Sequence, residues 1–126
     1  MFYPLFAIAL GSVLGGWLRW YVGLKLNHIY PNIPMGTVCV NWVGGFLIGF
    51  AIAYFAQSQL SANYKLFIIT GFCGGLTTFS TFSAEILALL QHGKLILAML
   101  AIAIHVIGAL LFTFLGMACQ HWIAMH

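Results

Sequence analysis

The sequence predicts an all-α integral membrane protein of four transmembrane helices, with the third broken near mid-membrane. Three observations predict it. Hydrophobic residues make up 63% of the 126-residue chain and charged residues only 4%, too few charges to solubilise a globular surface. A helical crossing takes about 20 apolar residues, and short polar turns divide the chain into four such runs. One run, Gly71-Phe-Cys-Gly-Gly-Leu-Thr-Thr-Phe-Ser-Thr-Phe-Ser-Ala-Glu85, holds three glycines, five hydroxyl side chains and the only acidic residue. A plain lipid-facing helix has no use for that collection.

The length holds no extramembrane domain, so residues 1–126 read as a single membrane domain. The formal charge of +3 is spread along the chain without a basic run, so nucleic-acid binding is not expected. The N-terminus Met1-Phe-Tyr-Pro-Leu5 has no cationic region, so the first apolar segment is expected to stay rather than be cleaved. Cys39, Cys73 and Cys119 are isolated and form no CxxC spacing. They read as small packing residues. No enzymatic activity is expected.

The first crossing spans about 5–21. Gly11, Ser12, Gly15 and Gly16 recur at four-residue spacing, which lets a neighbouring helix approach closely. It ends in Trp17-Leu-Arg-Trp-Tyr21, where Arg19 lies about 20 Å from Leu5. Arg19 is either a snorkelling anchor or a cation that concentrates anions in a vestibule. Pro31 and Pro34 then stop and restart helix. The second crossing spans about 35–56. Asn41, Gly45 and Gly49 fall four apart and share one face, so Asn41 is either helix–helix glue or an amide pointing into a pathway.

The loop Gln57–Asn63 is short, so the third crossing, about 64–90, returns antiparallel. Gln91-His-Gly-Lys94 turns the chain into the fourth crossing, about 95–123. Both termini then lie on one side with Lys65, and Lys25 and Lys94 on the other. So small a charge bias sets no firm orientation and permits insertion both ways.

The break itself carries the chemistry. Gly74 and Gly75 each weaken a helix by about 1 kcal/mol relative to alanine, and Thr77, Thr78, Ser80 and Thr81 offer the backbone alternative hydrogen bonds. Non-helical backbone at membrane depth is tolerated only where protein buries it or water reaches it, which makes the break a candidate ion site. A first half-helix ending near Gly74 leaves the carbonyls of Gly74 to Thr77 negative enough for a bare cation. A second half-helix starting near Thr78 to Thr81 leaves N–H groups suited to an anion. Phe79 and Phe82 lie three apart, and the edge of a phenyl ring is its positive end. They line an anion path or are ordinary core aromatics. Glu85, about 10 Å from the break, is expected to be partly buried and hydrogen-bonded. His105 lies mid-way along the fourth crossing without a second histidine at matching depth, so haem binding is not expected.

Gly74-Gly-Leu-Thr-Thr-Phe-Ser-Thr-Phe-Ser83 with Glu85 resembles the third-helix motif of the Fluc (CrcB) fluoride channels. Gly36-Thr-Val-Cys-Val-Asn41 with Gly44-Gly-Phe-Leu-Ile-Gly49 resembles that family's second-helix motif, and Gly15-Gly-Trp-Leu-Arg-Trp-Tyr21 its first. The resemblance covers the whole chain. It implies a passive channel that exports fluoride across a prokaryotic inner membrane and lowers cytoplasmic fluoride. It implies an antiparallel, dual-topology homodimer with two pores and a structural sodium ion on the backbone carbonyls of Gly74 and Thr77. It places Phe79 and Phe82 as ring edges along the fluoride path, Asn41, Ser80 and Thr81 as polar contacts, and Arg19 near an entrance. The family's fourth helix carries a Ser/Thr polar track. Here that place falls on His105, which is expected to act as an N–H donor in the path or its wall, with conduction sensitive to pH because histidine titrates near neutrality.

Two other readings are a small proton-coupled multidrug exporter and a non-transporting membrane anchor subunit. The first calls for a carboxylate on the first crossing and the second for paired histidines at one depth; the chain has neither.

Overall fold

The computed structural model describes residues 2–126, all of them helix, turn or loop. Among these residues four helices are long and apolar enough to cross a membrane: Tyr3–Leu26, Met35–Ala56, Ala62–Gln91 and Leu95–Met125. The first is α1 and the second α2. The third crossing is composite: α3 (Ala62–Lys65), a π-helical segment (Leu66–Cys73), α4 (Gly74–Leu76) and α5 (Phe79–Gln91). The fourth is α6 (Leu95–Met125).

α1 opens on Pro4 in its first turn, where a missing N–H costs nothing. It runs past Tyr21 to Leu26, five residues beyond the apolar window, because nothing before the Pro31 turn breaks helix. α2 starts after Pro34, which cannot supply a capping side chain. The Asn27 side-chain oxygen substitutes, accepting the Thr37 N–H over 3.2 Å. The α5–α6 turn depends on Gly93, at φ 72°, a left-handed conformation that glycine adopts without strain. There the N–H groups of Gly93 and Lys94 bond back to Leu90 and Leu89. The Lys94 ammonium donates to the Asn32 side chain, 2.8 Å away, tying this turn to the α1–α2 loop.

Glycines set which helices touch. A Cβ on Gly11 would strike the Phe67 carbonyl, and one on Gly15 the Phe72 carbonyl. From the other side, a Cβ on Gly71 would meet Gly11 and Ile8, and one on Gly75 the Ser12 carbonyl. α1 and the third crossing therefore lie backbone against backbone. α2 and α6 pack the same way: Gly49 faces Thr113, and Gly116 faces the Phe46 carbonyl. The Trp42 indole sits over Gly108 and donates to the Ile104 carbonyl over 3.0 Å. A small apolar core of Ile33, Val38, Leu89, Ala98 and Ala101 closes one end of the bundle.

The outside is apolar. Only 17% of the most apolar stretch of α6 is buried within the chain, so lipid or another polypeptide must cover the rest.

The structure corrects the expected position of the break. Gly74 keeps helical backbone (φ −63°, ψ −38°), and Gly74 and Gly75 belong to α4. The helical path is interrupted two residues later, where Thr77 (ψ 155°) and Thr78 (φ −148°, ψ 121°) are extended. Close packing of Gly75 on α1 outweighs its weak helix propensity, so its small size serves contact rather than a bend.

Candidate functional site

The site is built around the extended pair Thr77–Thr78. Extended backbone leaves peptide groups without helical partners, and one side chain from α2 meets two of them. The Asn41 side-chain oxygen accepts the Thr78 N–H over 2.8 Å, and its NH2 donates to the Thr78 carbonyl over 3.1 Å. One amide thus pairs edge to edge with one residue's backbone. The remaining N–H of Asn41 meets Nδ1 of His105, 3.2 Å away on α6. Asn41 therefore joins three crossings.

The ends on either side of the interruption are satisfied only in part. The Cys73 carbonyl accepts both the N–H and the hydroxyl of Thr77. The Gly75 carbonyl accepts Nε of Arg19 over 3.0 Å. Among the described residues no donor meets the carbonyls of Gly74 and Thr77. On the α5 side, Thr78 Oγ1 caps the helix by accepting the Thr81 N–H over 3.2 Å. Its own hydroxyl donates to Thr81 Oγ1 over 3.1 Å. The N–H groups of Phe79 and Ser80 meet no acceptor among the described residues. Carbonyls without donors on one side and N–H groups without acceptors on the other give opposite partial charges across two residues.

Two grooves flank this centre, and a third lies beyond them. The first, about 370 Å³, is lined by Asn41, Gly44, Thr77, Phe79, Phe82 and His105, among others. Phe79 meets Phe82 edge to face, with ring centroids 5.4 Å apart. Phe82 is buried, whereas Phe79 is 76% exposed, so its ring stands open for a neighbour. The second groove, about 300 Å³, holds Arg19, Thr37, Thr78 and Thr81. The third, about 290 Å³, lies toward the α5–α6 turn and includes Glu85, His92 and Lys94. The Thr37 hydroxyl donates to Glu85 Oε2 over 2.7 Å and so stands between the second groove and the third.

The residues singled out from sequence are thus distributed, not pooled. Asn41, Phe79, Phe82 and His105 share the first groove, and Arg19 and Thr81 share the second. Thr78 belongs to both. Ser80 is exposed, with its hydroxyl 3.5 Å from that of Thr78. Glu85 is apart, in the third groove. His105 is 5% exposed, and its ring packs on Phe82 with centroids 4.5 Å apart. Two participants are not singled out by the sequence, Thr37 and Asn27, and the Thr78 and Thr81 N–H groups, expected to be free for an anion, are taken by Asn41 and by Thr78 Oγ1. Thr37 lies four residues before Asn41 on the same helix face, the one signal that pointed to it. Among the described residues no three His, Cys, Asp or Glu side chains cluster to hold a metal. The Gly74 and Thr77 carbonyls offer the hard oxygen donors that an alkali cation takes.

A helix interrupted by a polar, partly unsatisfied centre within four long apolar crossings defines a small multi-pass membrane protein. Residues 6–117 match the family model described as CrcB-like protein, Camphor Resistance (CrcB). The chain is 71% identical over its full length, and that of the relative, to a protein named fluoride-specific ion channel FluC in Acinetobacter baumannii strain ATCC 17978. It is 60% identical over the whole of both chains to the protein of that name in Acinetobacter baylyi. Identity is 55% over 97% of both chains to the one in Nitrosomonas europaea. The chain belongs to the CrcB family and is a multi-pass bacterial membrane protein.

Proposed function

We propose that the protein is a passive, fluoride-selective channel that lets fluoride leave the cytoplasm across the inner membrane. The full-length match to relatives named fluoride-specific ion channels carries this reading.

The geometry supports it in detail. Fluoride is a small, hard anion that gives up water only for close N–H and O–H donors. The free N–H groups of Phe79 and Ser80 at the start of α5 offer such donors with the favourable end of a helix dipole. The Thr81 hydroxyl accepts from Thr78 and keeps its own proton to give. Phe79 and Phe82 line the first groove, and a ring edge presented to an anion there is positive in character yet apolar, which passes the ion without trapping it. Arg19 draws anions toward the second groove and, bound to the Gly75 carbonyl, holds its charge beside the interruption. Asn41 has both N–H groups engaged, so its main role is to hold the interruption open rather than to solvate the ion.

The functional unit is an antiparallel homodimer with two pores, its third crossings broken near mid-membrane and facing each other. Exposed Phe79 and the open first groove support a second copy as their cover. The Gly74 and Thr77 carbonyls, which meet no donor among the described residues, would hold a structural sodium ion. When bound it supplies the positive charge that these carbonyls lack. Left unmet, each would cost about 1–3 kcal/mol.

The test is fluoride efflux from proteoliposomes read by a fluoride electrode, with chloride as control. Efflux far above that of protein-free liposomes, with chloride retained, is expected. Efflux at the protein-free rate from reconstituted dimer refutes the reading.

A further inference from the structure

His105 is buried, carries no charge partner, and touches the one side chain that holds the interruption. We propose that His105 is a positioning residue: by accepting an Asn41 N–H at Nδ1, it locks the Asn41 amide onto the Thr78 peptide.

The hydrogen-bond chemistry leaves one arrangement. Of the two ends of an asparagine amide, only the oxygen can accept a backbone N–H and only the NH2 can donate to a backbone carbonyl. The two bonds to Thr78 therefore fix which end of the Asn41 amide is oxygen. The second N–H of the NH2 then points at His105 Nδ1, which must be bare. The ring is neutral and carries its proton on Nε2. The expected N–H donor role of His105 thus belongs to Nε2, while Nδ1 accepts.

The surroundings favour that form. From the third crossing, Cys73 is the titratable side chain in the same groove. From α5, the ring meets Phe82, and Glu85, one turn further on, is bonded to Thr37 instead. α2 presents Asn41, which is uncharged. Lining residues from α6 besides His105 are Val106 and Ala109. No carboxylate faces the ring to hold a second proton.

A proton added at Nδ1 sets N–H against N–H. The Asn41 amide must then turn or withdraw, and the Thr78 peptide loses the partner that keeps it extended. His105 thus acts on the ion path through Asn41, as a lock that protonation releases. The flux consequence rests on the channel reading above; the tautomer does not.

The experiment uses the full-length protein in liposomes, with fluoride efflux measured between about pH 8 and about pH 5 net of protein-free liposomes. Parent flux is expected to fall several-fold as pH falls. His105→Leu, without an acceptor, should be slow at every pH. His105→Asn presents an oxygen near the Nδ1 position and does not titrate, so it should restore most of the flux lost in His105→Leu with a flat profile. In parallel, nitrogen NMR of histidine-labelled protein at neutral pH should show a bare Nδ1 and a protonated Nε2 at His105. A proton on Nδ1 at neutral pH overturns the proposal, as does a parental pH profile in His105→Asn. Parental flux in a folded His105→Leu does so as well. If the parent carries no fluoride at any pH, the channel reading fails and the NMR tautomer still decides the lock.

Discussion

Replacing Asn41 by leucine tests the arrangement of the whole site. Leucine nearly matches asparagine in size but cannot hydrogen-bond. The N–H and carbonyl of Thr78 both lose their partner, as does His105 Nδ1. A buried backbone group left unmet costs about 1–3 kcal/mol, so the two from Thr78 together cost roughly 2–6 kcal/mol. Leucine recovers little, because the interior it enters is no more apolar than lipid. Each 1.4 kcal/mol is about a factor of ten in population, so the extended conformation of Thr77–Thr78 should lose much of its occupancy to helical or collapsed alternatives. Two readouts follow. Purified Asn41→Leu in detergent should unfold at a clearly lower temperature than the parent, and reconstituted protein should lose fluoride efflux by at least about tenfold, the equivalent of that 1.4 kcal/mol. If Asn41→Leu melts with the parent and carries fluoride at the parental rate, the amide pair does not hold the site.

Replacing Phe79 or Phe82 by isoleucine keeps bulk and apolarity but removes the ring edge; efflux should fall in each while the protein stays folded, and parental efflux in both would refute the ring-edge role. Gly75→Ala drives a methyl into the Ser12 carbonyl and should destabilise by about 1–3 kcal/mol, visible as a lower melting temperature; an unchanged melt would mean that α1 and the third crossing are not in backbone contact. Thr37→Val removes the donor to Glu85 at a cost of about 1 kcal/mol and should lower both the melting temperature and fluoride efflux; parental values of both would make that hydrogen bond dispensable. Exchange of sodium for a bulky organic cation by dialysis should impair efflux or dimer assembly, and indifference to the replacement would count against a specific cation seat.

What the sequence determined by itself was the class and the neighbourhood of the site. Apolar runs of membrane length, separated by Pro, Gly and polar turns, leave an all-helical fold of four crossings as the one way to satisfy the backbone in lipid. The collection of hydroxyls, glycines and Glu85 in the third run marked the polar centre, because such residues are costly in lipid unless they are used. The exact breaking point was not legible. Helix propensity points to Gly74 and Gly75, and only packing against Ser12 and Gly16 shows that Gly75 is a contact residue. The interruption falls on Thr77–Thr78 because Asn41, from another helix, supplies an alternative partner for the Thr78 peptide. Asn41 was visible as an amide on a glycine-lined face, with two roles open. Which of them applies is decided by Thr78 and His105, 37 and 64 residues away in the chain. Hydrogen bonds between crossings obey no sequence period, so tertiary structure alone decided which polar groups meet and which peptide groups stay unpaired.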